Sequence, residues 1–148
     1  MSRRRAGLLG LAALALAAAA RADSEAARCL ALATYWESKG CGRADMTAVG
    51  WVVLNRIAHD EFPDEVCAVV KEGGEAPPCQ FSWWCDGKSD QPEDGEDWRL
   101  ARAVANDLLK QPPPDPSGGA LYFHSRDLDP PWPDLQQTAD IGCHLFYK

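Results

Sequence analysis

A glutamate, Glu37, follows the aromatic residues Tyr35 and Trp36 in the stretch ATYWESKGC, residues 33–41. A glutamate near the end of a helix is most often a solvated surface residue, and the negative end of the helix dipole disfavours its charge. A carboxyl packed against apolar rings, in contrast, has a raised pKa and can stay protonated as a general acid near neutral pH. The residues alone leave both interpretations open.

The segment CQFSWWCDG, residues 79–87, combines aromatic rings with amide and hydroxyl groups between Cys79 and Cys85. Sugar rings stack on aromatic faces while their hydroxyls need donors and acceptors, so this composition suits sugar binding. The alternative is that the rings fill the core behind a disulfide. Asp86 is a candidate second acid, although a C-D-G context is more typical of a turn. The candidate sugar-binding residues here are Gln80, Phe81, Ser82, Trp83 and Asp86.

A third chemical segment is GGALYFHS, residues 118–125. Its two glycines permit a tight turn into a strand. Tyr122 and His124 would then project from the same face, because side chains alternate along a strand. These two residues are candidates for orienting a substrate or the acid, whereas a lone histidine is more often structural.

Hydrophobic spacing predicts four helices and two strands that would position these residues. The helices cover residues 25–39, 45–57 with Asp45 as cap, a short segment after Pro63, and about 94–111, where three prolines follow. The strands GALYFHS and IGCHLFYK are short and aromatic-rich, and we expect them to pair. The predicted fold is a compact, mostly helical α+β domain with a small C-terminal antiparallel sheet.

The N-terminus has the pattern of a secretory signal peptide. Three arginines precede the apolar run at residues 7–20, and Ala20-Arg21-Ala22 supplies a small-x-small cleavage pattern. We expect cleavage near Ala22, which leaves residues 23–148 as one exported domain, periplasmic or extracellular. The alternative is an uncleaved anchor, but the apolar run is shorter than the ~20 residues that a bilayer span needs.

Charge and cysteine content limit the partners. The chain has a net charge of −7, and without residues 1–22 eleven basic residues would face twenty-two acidic ones. Such an acidic body repels phosphate backbones, so we expect no nucleic acid partner and no stable membrane anchor. Six cysteines in a short exported chain favour disulfides. Because no C-x-x-C occurs and the three histidines are scattered, we expect no metal and no cofactor. We expect a monomer.

Six motifs in order, CLALATYWESKG, VGWVVLNRI, FPDEVCAVV, CQFSWWCDG, DPSGGALYFH and IGCHLFYK, resemble the SleB-type cell wall hydrolases, which include spore cortex-lytic enzymes. They cover essentially the whole chain after residue 22. The resemblance implies a lysozyme-like fold related to lytic transglycosylases. It also implies peptidoglycan glycan strands as the substrate, cut at the β-1,4 bond between N-acetylmuramic acid and N-acetylglucosamine.

The resemblance further implies that Glu37 is the catalytic acid, with Tyr35 beside the substrate. Hydrolysis of a glycosidic bond ordinarily uses two carboxyl groups. A lytic transglycosylase needs one, because the C6 hydroxyl of muramic acid replaces water and closes a 1,6-anhydro ring. We expect this one-carboxyl reaction. The alternatives are a hydrolytic muramidase, an amidase, which usually needs zinc, and a catalytically impaired peptidoglycan-binding module.

Two cysteines depart from the family pattern. Cys41 replaces the second glutamate of A-R-G-E, and Cys143 stands at a position of IG-x-H that the family usually fills with another residue. We expect these two unusual cysteines to pair, with Cys29–Cys67 and Cys79–Cys85 or swapped versions for the other four. If the second glutamate assists catalysis in the family, its loss impairs this chain; if it only supports the structure, a disulfide replaces it.

Overall fold

The computed structural model describes residues 6–129 and 132–148. It has four α-helices, a short 3₁₀ helix and a three-stranded sheet, and this confirms the predicted α+β class. The helices are α1 (Ala6–Ser38), α2 (Gly42–Ile57), α3 (Val66–Val70) and α4 (Glu96–Lys110), with the 3₁₀ helix Ser82–Cys85 between the last two. The strands are β1 (Tyr122–Ser125), β2 (Gln137–Ile141) and β3 (His144–Tyr147).

The main core lies between the second half of α1 and helices α2, α3 and α4. In α4 the buried residues Ala101, Val104, Ala105 and Leu108 recur at the spacing of one helical face, so this helix lays an apolar stripe on the core. Gly50 of α2 faces that stripe, because a Cβ there would overlap the side chain of Leu108. A residue without a side chain thus allows α2 and α4 to approach closely.

A second, smaller core joins α2 to the sheet, where Ala48, Val49 and Val52 pack against Ala120 and Phe146. Helix α2 is therefore buried on both sides and forms the layer between the helical core and the strands. The sheet is antiparallel with the strand order β1-β3-β2. The predicted pairing of the first and last strands is confirmed, and β2 is an additional strand beside β3.

Two helix starts differ from the predictions. Helix α1 begins at Ala6 rather than near residue 25, and its residues 10–21 are exposed. Helix α2 begins at Gly42, so Asp45 lies inside its first turn and is buried instead of capping the helix. In α1, the apolar run continues the helix before the predicted start. In α2, Asp45 makes a tertiary contact instead of capping the helix. Within the described residues, no helix combines the length and apolarity needed to cross a membrane.

The structure contains three disulfides, of which Cys41–Cys143 is as predicted, and the pairing left open for the other four cysteines is Cys29–Cys67 and Cys79–Cys85. Cys29–Cys67 joins α1 to α3, and Cys79–Cys85 closes the loop that carries the 3₁₀ helix. Cys41–Cys143 joins the α1–α2 connection to the turn before β3. Cys41 is therefore part of a covalent link between the helical layer and the sheet.

Candidate active site

Glu37 lies in the last turn of α1 and is partly buried. Burial raises the pKa of Glu37 from 4.5 to about 7. The charges of His144 and Arg56 oppose this rise in pKa, and that of Asp45 adds to it. No hydrogen bond to a described residue contributes. The carboxyl is thus a half-protonated acid near neutral pH, as a general acid requires.

A buried pair of side chains, Asp45 and His144, acts on the charge of Glu37. The Nδ1 of His144 on β3 lies 2.9 Å from Oδ2 of Asp45 on α2. The other oxygen, Oδ1, accepts the backbone N–H of Cys143 at 2.9 Å. Asp45 is fully buried and His144 is 5% exposed. The sequence offered no signal for this contact, because the two residues are 99 positions apart.

Arg56 connects α2 to two of the predicted chemical segments. Its Nε donates to the Leu121 carbonyl at 2.8 Å, and its Nη1 donates to Oε1 of Gln80 at 3.4 Å. The guanidinium also lies 5.7 Å from the ring centre of Tyr122. Burial lowers the pKa of Arg56, while the charges of Glu72 and Glu37 act against this. Arg56 belongs to the motif VGWVVLNRI, but its contacts with Gln80 and Leu121 arise only from the fold.

The predicted sugar-binding residues fall into two groups, of which the first is accessible. Gln80 and Ser82 are exposed, and Tyr122 is partly buried at the start of β1. Asp86 is exposed as well, but its Oδ1 accepts the backbone N–H of Lys88 at 2.8 Å. That contact is typical of a turn aspartate, so Asp86 is occupied in holding its loop.

The second group is buried and offers almost no face to a sugar: Tyr35, Phe81, Trp83 and His124, at 3%, 2%, 8% and 7% exposure. The Tyr35 hydroxyl accepts the backbone N–H of Glu93 at 3.2 Å. Nε2 of His124 lies 2.9 Å from the Tyr147 hydroxyl. For these four, packing and internal hydrogen bonds leave little surface for the predicted contact with substrate.

A cleft of about 680 Å³ lies apart from Glu37. It runs between the start of α2 and the end of α4, with Arg43, Asp107 and Pro113 among its lining residues. Glu37 does not line it, so this cleft is separate from the acid. Among the described ranges there is no group of three or more His, Cys, Asp or Glu side chains that could hold a metal ion.

A model of a family described as cell wall hydrolase matches residues 40–147 of the chain. The chain belongs to this family. The match begins three residues after Glu37, so the acid itself lies just outside it. The predicted resemblance is confirmed for the remainder of the domain.

The chain is similar to spore cortex-lytic enzymes over most of its own length. It is 34% identical to that of Halalkalibacterium halodurans over 120 residues, and 33% identical to that of Bacillus subtilis over 122 residues. These matches cover 79% and 80% of this chain but 33% and 36% of the relatives. The chain thus spans about a third of the length of these curated relatives. Too few residues follow Glu37 to supply 79% of the chain, so the aligned stretch begins before it.

Two solved structures share the fold. The catalytic domain of the Bacillus cereus SleB protein superposes with a TM-score of 0.67 at 30% identity, covering 84% of this chain and 91% of that one. The catalytic domain of the germination-specific lytic transglycosylase SleB from Bacillus anthracis gives a TM-score of 0.66 at 30% identity, covering 83% and 93%. The fold of this chain is therefore that of a SleB catalytic domain.

Proposed function

We propose that this chain is an enzyme that cleaves the glycan strands of peptidoglycan, with Glu37 as its general acid. Membership of the cell wall hydrolase family supports the substrate class. The observation that carries the assignment of the acid is the burial of Glu37, which raises its pKa to about 7. At that value a substantial fraction of the carboxyl holds a proton to donate under physiological conditions.

We propose further that the reaction is a lytic transglycosylation. Protonated Glu37 donates its proton to the glycosidic oxygen, and the bond to C1 of muramic acid breaks. The resulting carboxylate then takes the proton of the C6 hydroxyl while that oxygen bonds to C1. The products are a 1,6-anhydro end and a free hydroxyl on the leaving sugar, and Glu37 is again protonated.

The state of Asp45, the other carboxyl that acts on the charge of Glu37, supports this one-carboxyl reaction. Both oxygens of Asp45 are already hydrogen bonded within the protein. Asp45 is therefore not free to act as the second carboxyl that ordinary glycoside hydrolysis uses. One of the solved neighbours is itself described as a lytic transglycosylase.

The accessible side chains Gln80, Ser82 and Tyr122 are the residues that we propose to contact the glycan. Arg56 supports this role, because its hydrogen bonds hold Gln80 and the backbone before β1 against the same helix. Amide and hydroxyl groups beside an aromatic ring match the needs of a sugar, whose faces are apolar and whose edge is polar.

Digestion of purified peptidoglycan by the full chain, followed by mass spectrometry of the products, tests these proposals. We expect products lighter by one water than hydrolytic muropeptides, and no product from Glu37→Gln. Glu75→Gln is the matched control, because it makes the same change in an exposed loop. Products with reducing ends would show that the reaction is hydrolysis rather than transglycosylation. Activity of Glu37→Gln would refute the assignment of the acid, and an inactive wild type would refute cleavage.

We also propose that residues 1–22 are removed on export, so that the enzyme acts outside the cytoplasm. Residues 10–21 of α1 are exposed in the structure, and Cys29 is the first buried residue along the described chain, which fits an N-terminal part that is not needed for packing. N-terminal sequencing of the exported protein should begin at Asp23. Recovery of the full chain in the membrane fraction would favour the uncleaved anchor.

A further inference from the structure

Three aromatic side chains from separate parts of the chain come together beside strand β1. The ring centre of Tyr122, on β1, lies 6.2 Å from that of Phe62 and 5.5 Å from that of Trp132. Phe62 belongs to the α2–α3 connection and Trp132 to the β1–β2 connection. All three residues are partly exposed. We call Phe62, Tyr122 and Trp132 the aromatic row, in which Tyr122 neighbours both of the other rings.

The register of the sheet turns the middle of this row away from the core. Tyr122 pairs with Tyr147, and Phe123 pairs with Phe146. Side chains alternate along a strand, so the two tyrosines share one face of the sheet and the two phenylalanines share the other. Phe146 packs against α2 in the smaller core. Tyr122 therefore lies on the face that points away from α2.

A buried guanidinium supports one end of the row. The central carbon of the Arg56 guanidinium lies 5.0 Å from the ring centre of Phe62 and 5.7 Å from that of Tyr122. Arg56 of α2 can contact Tyr122 because β1 is an edge strand of the sheet. Arg56 itself is only 4% exposed. Since this neighbour lies inside the protein, the exposed surface of both rings is on their outer side.

Trp132 has support of the same kind from the sheet. Its ring centre lies 5.9 Å from that of His124 and 6.0 Å from that of Tyr147. Both of these residues are buried, and Nε2 of His124 lies 2.9 Å from the Tyr147 hydroxyl. The partly exposed indole therefore rests on a hydrogen-bonded pair that does not move aside. Rings that are held in place in this way lose little freedom when a ligand binds.

The chemistry of the row fits the apolar face of a sugar ring. Pyranose faces stack on aromatic rings, and this contact needs no charge on the protein. The exposed carboxylates of Asp60, Glu61 and Asp64 flank Phe62 in sequence. They disfavour an anionic occupant such as a phosphate-containing wall polymer. The row is also continuous with Tyr122, for which a contact with the glycan is already proposed.

We propose that the aromatic row is a stacking surface for successive sugar rings of one peptidoglycan glycan strand. This proposal rests on the proposed function in one respect, namely that the glycan contacts Tyr122. It adds Phe62 and Trp132 to the glycan-binding residues, and both are joined to Tyr122 by ring contacts. Because the row binds the strand and takes no part in its cleavage, binding can be measured in a variant that lacks the acid.

The experiment measures the affinity of the full chain carrying Glu37→Gln for soluble glycan strands that have been stripped of their stem peptides. In this background, Trp132→Ala should raise Kd about tenfold, as truncation of an aromatic anchor at an interface does. Trp132→Phe keeps a ring and should restore most of the affinity. Leu128→Ala is the matched control, since it removes an exposed apolar side chain from the same β1–β2 connection. It should leave Kd unchanged.

The NMR signal of the Trp132 indole N–H gives a second measurement that needs no alanine variant. Trp132→Phe identifies this signal, because it removes one indole from the spectrum. Glycan strands should shift the signal, and free stem peptides should not. A signal that stays in place at saturating glycan overturns the proposal even if Trp132→Ala does not fold.

Other outcomes separate this proposal from its alternatives. An unchanged Kd in folded Trp132→Ala overturns the stacking surface, whether or not the wild type cleaves peptidoglycan. A shift with stem peptides and none with glycan overturns it too. If the chain sediments as a dimer and Trp132→Ala as a monomer, a second copy occupies the row and the proposal is wrong. A wild type whose Trp132 signal shifts with glycan but which cleaves nothing supports the stacking surface and refutes the proposed function.

Discussion

Replacing Glu37 by glutamine should make the protein more stable at neutral and alkaline pH while it removes activity. The folded state raises the pKa of Glu37 from 4.5 to about 7 by burial, so the ionised carboxylate is disfavoured in the fold. A raised acid pKa means that the folded state binds more protons than the unfolded state between these two values. Stability therefore falls as pH rises through this window and stays low above it.

The size of the effect follows from the shift in pKa. Each unit is worth about 1.4 kcal/mol, so the full shift corresponds to up to about 3 kcal/mol. The wild type carries this penalty at about pH 8 and is nearly free of it at about pH 4. A glutamine does not titrate. The stability of Glu37→Gln relative to the wild type should thus rise by up to about 3 kcal/mol between those pH values.

Urea unfolding at the two pH values, with the disulfides kept oxidised, measures this difference. With an m-value of about 2 kcal/mol per molar urea, the midpoint gap between variant and wild type should widen by roughly 1.5 M. Glu75→Gln is the matched control, because an exposed carboxyl is solvated in both states. If the gap for Glu37→Gln is the same at both pH values, Glu37 has no raised pKa, and the physical basis of the acid assignment is gone.

Three further predictions concern activity and packing. The rate of peptidoglycan cleavage should fall about tenfold per pH unit as pH rises well above 7, because Glu37 then loses the proton that it donates. A rate that stays constant up to about pH 9 would contradict this. Replacing both Cys41 and Cys143 by serine should lower the free energy of unfolding by about 2–5 kcal/mol, since their bond closes a loop with a sequence separation of 102; an unchanged urea midpoint would show that this disulfide constrains little. Gly50→Ala should cost about 1–3 kcal/mol in thermal unfolding, because its Cβ would overlap a leucine of α4, whereas Gly95→Ala, which meets open space, should cost less.

The sequence predicted elements well where one strong local pattern decides the structure. Helix α4 was predicted at about 94–111 and spans Glu96–Lys110, because its apolar stripe is continuous and prolines follow it. The strand β2 was missed, since QTADI is short, has three polar side chains and is only partly buried. Its existence depends on pairing with β3, and such a pairing has no local signal.

The candidate site likewise combines features that the sequence predicts with features that it does not. Residue types and motif order pointed to Glu37, and the two departures from the family pattern pointed to the pairing of Cys41 with Cys143, which the structure contains. The aromatic residues of the same motifs were assigned to the substrate, and several of them are buried instead. Aromatic side chains suit cores and sugar sites equally, so their composition alone does not separate the two.

The amino-acid sequence was sufficient for the family, the mostly helical α+β class and the pairing of Cys41 with Cys143, because these depend on local patterns and motif order. It also makes Glu37 the candidate acid. The proton affinity of Glu37 and the pairing of Asp45 with His144 came only from the folded chain. Both arise from residues far apart in sequence that share one desolvated volume, where burial and orientation set the energies of charges and hydrogen bonds.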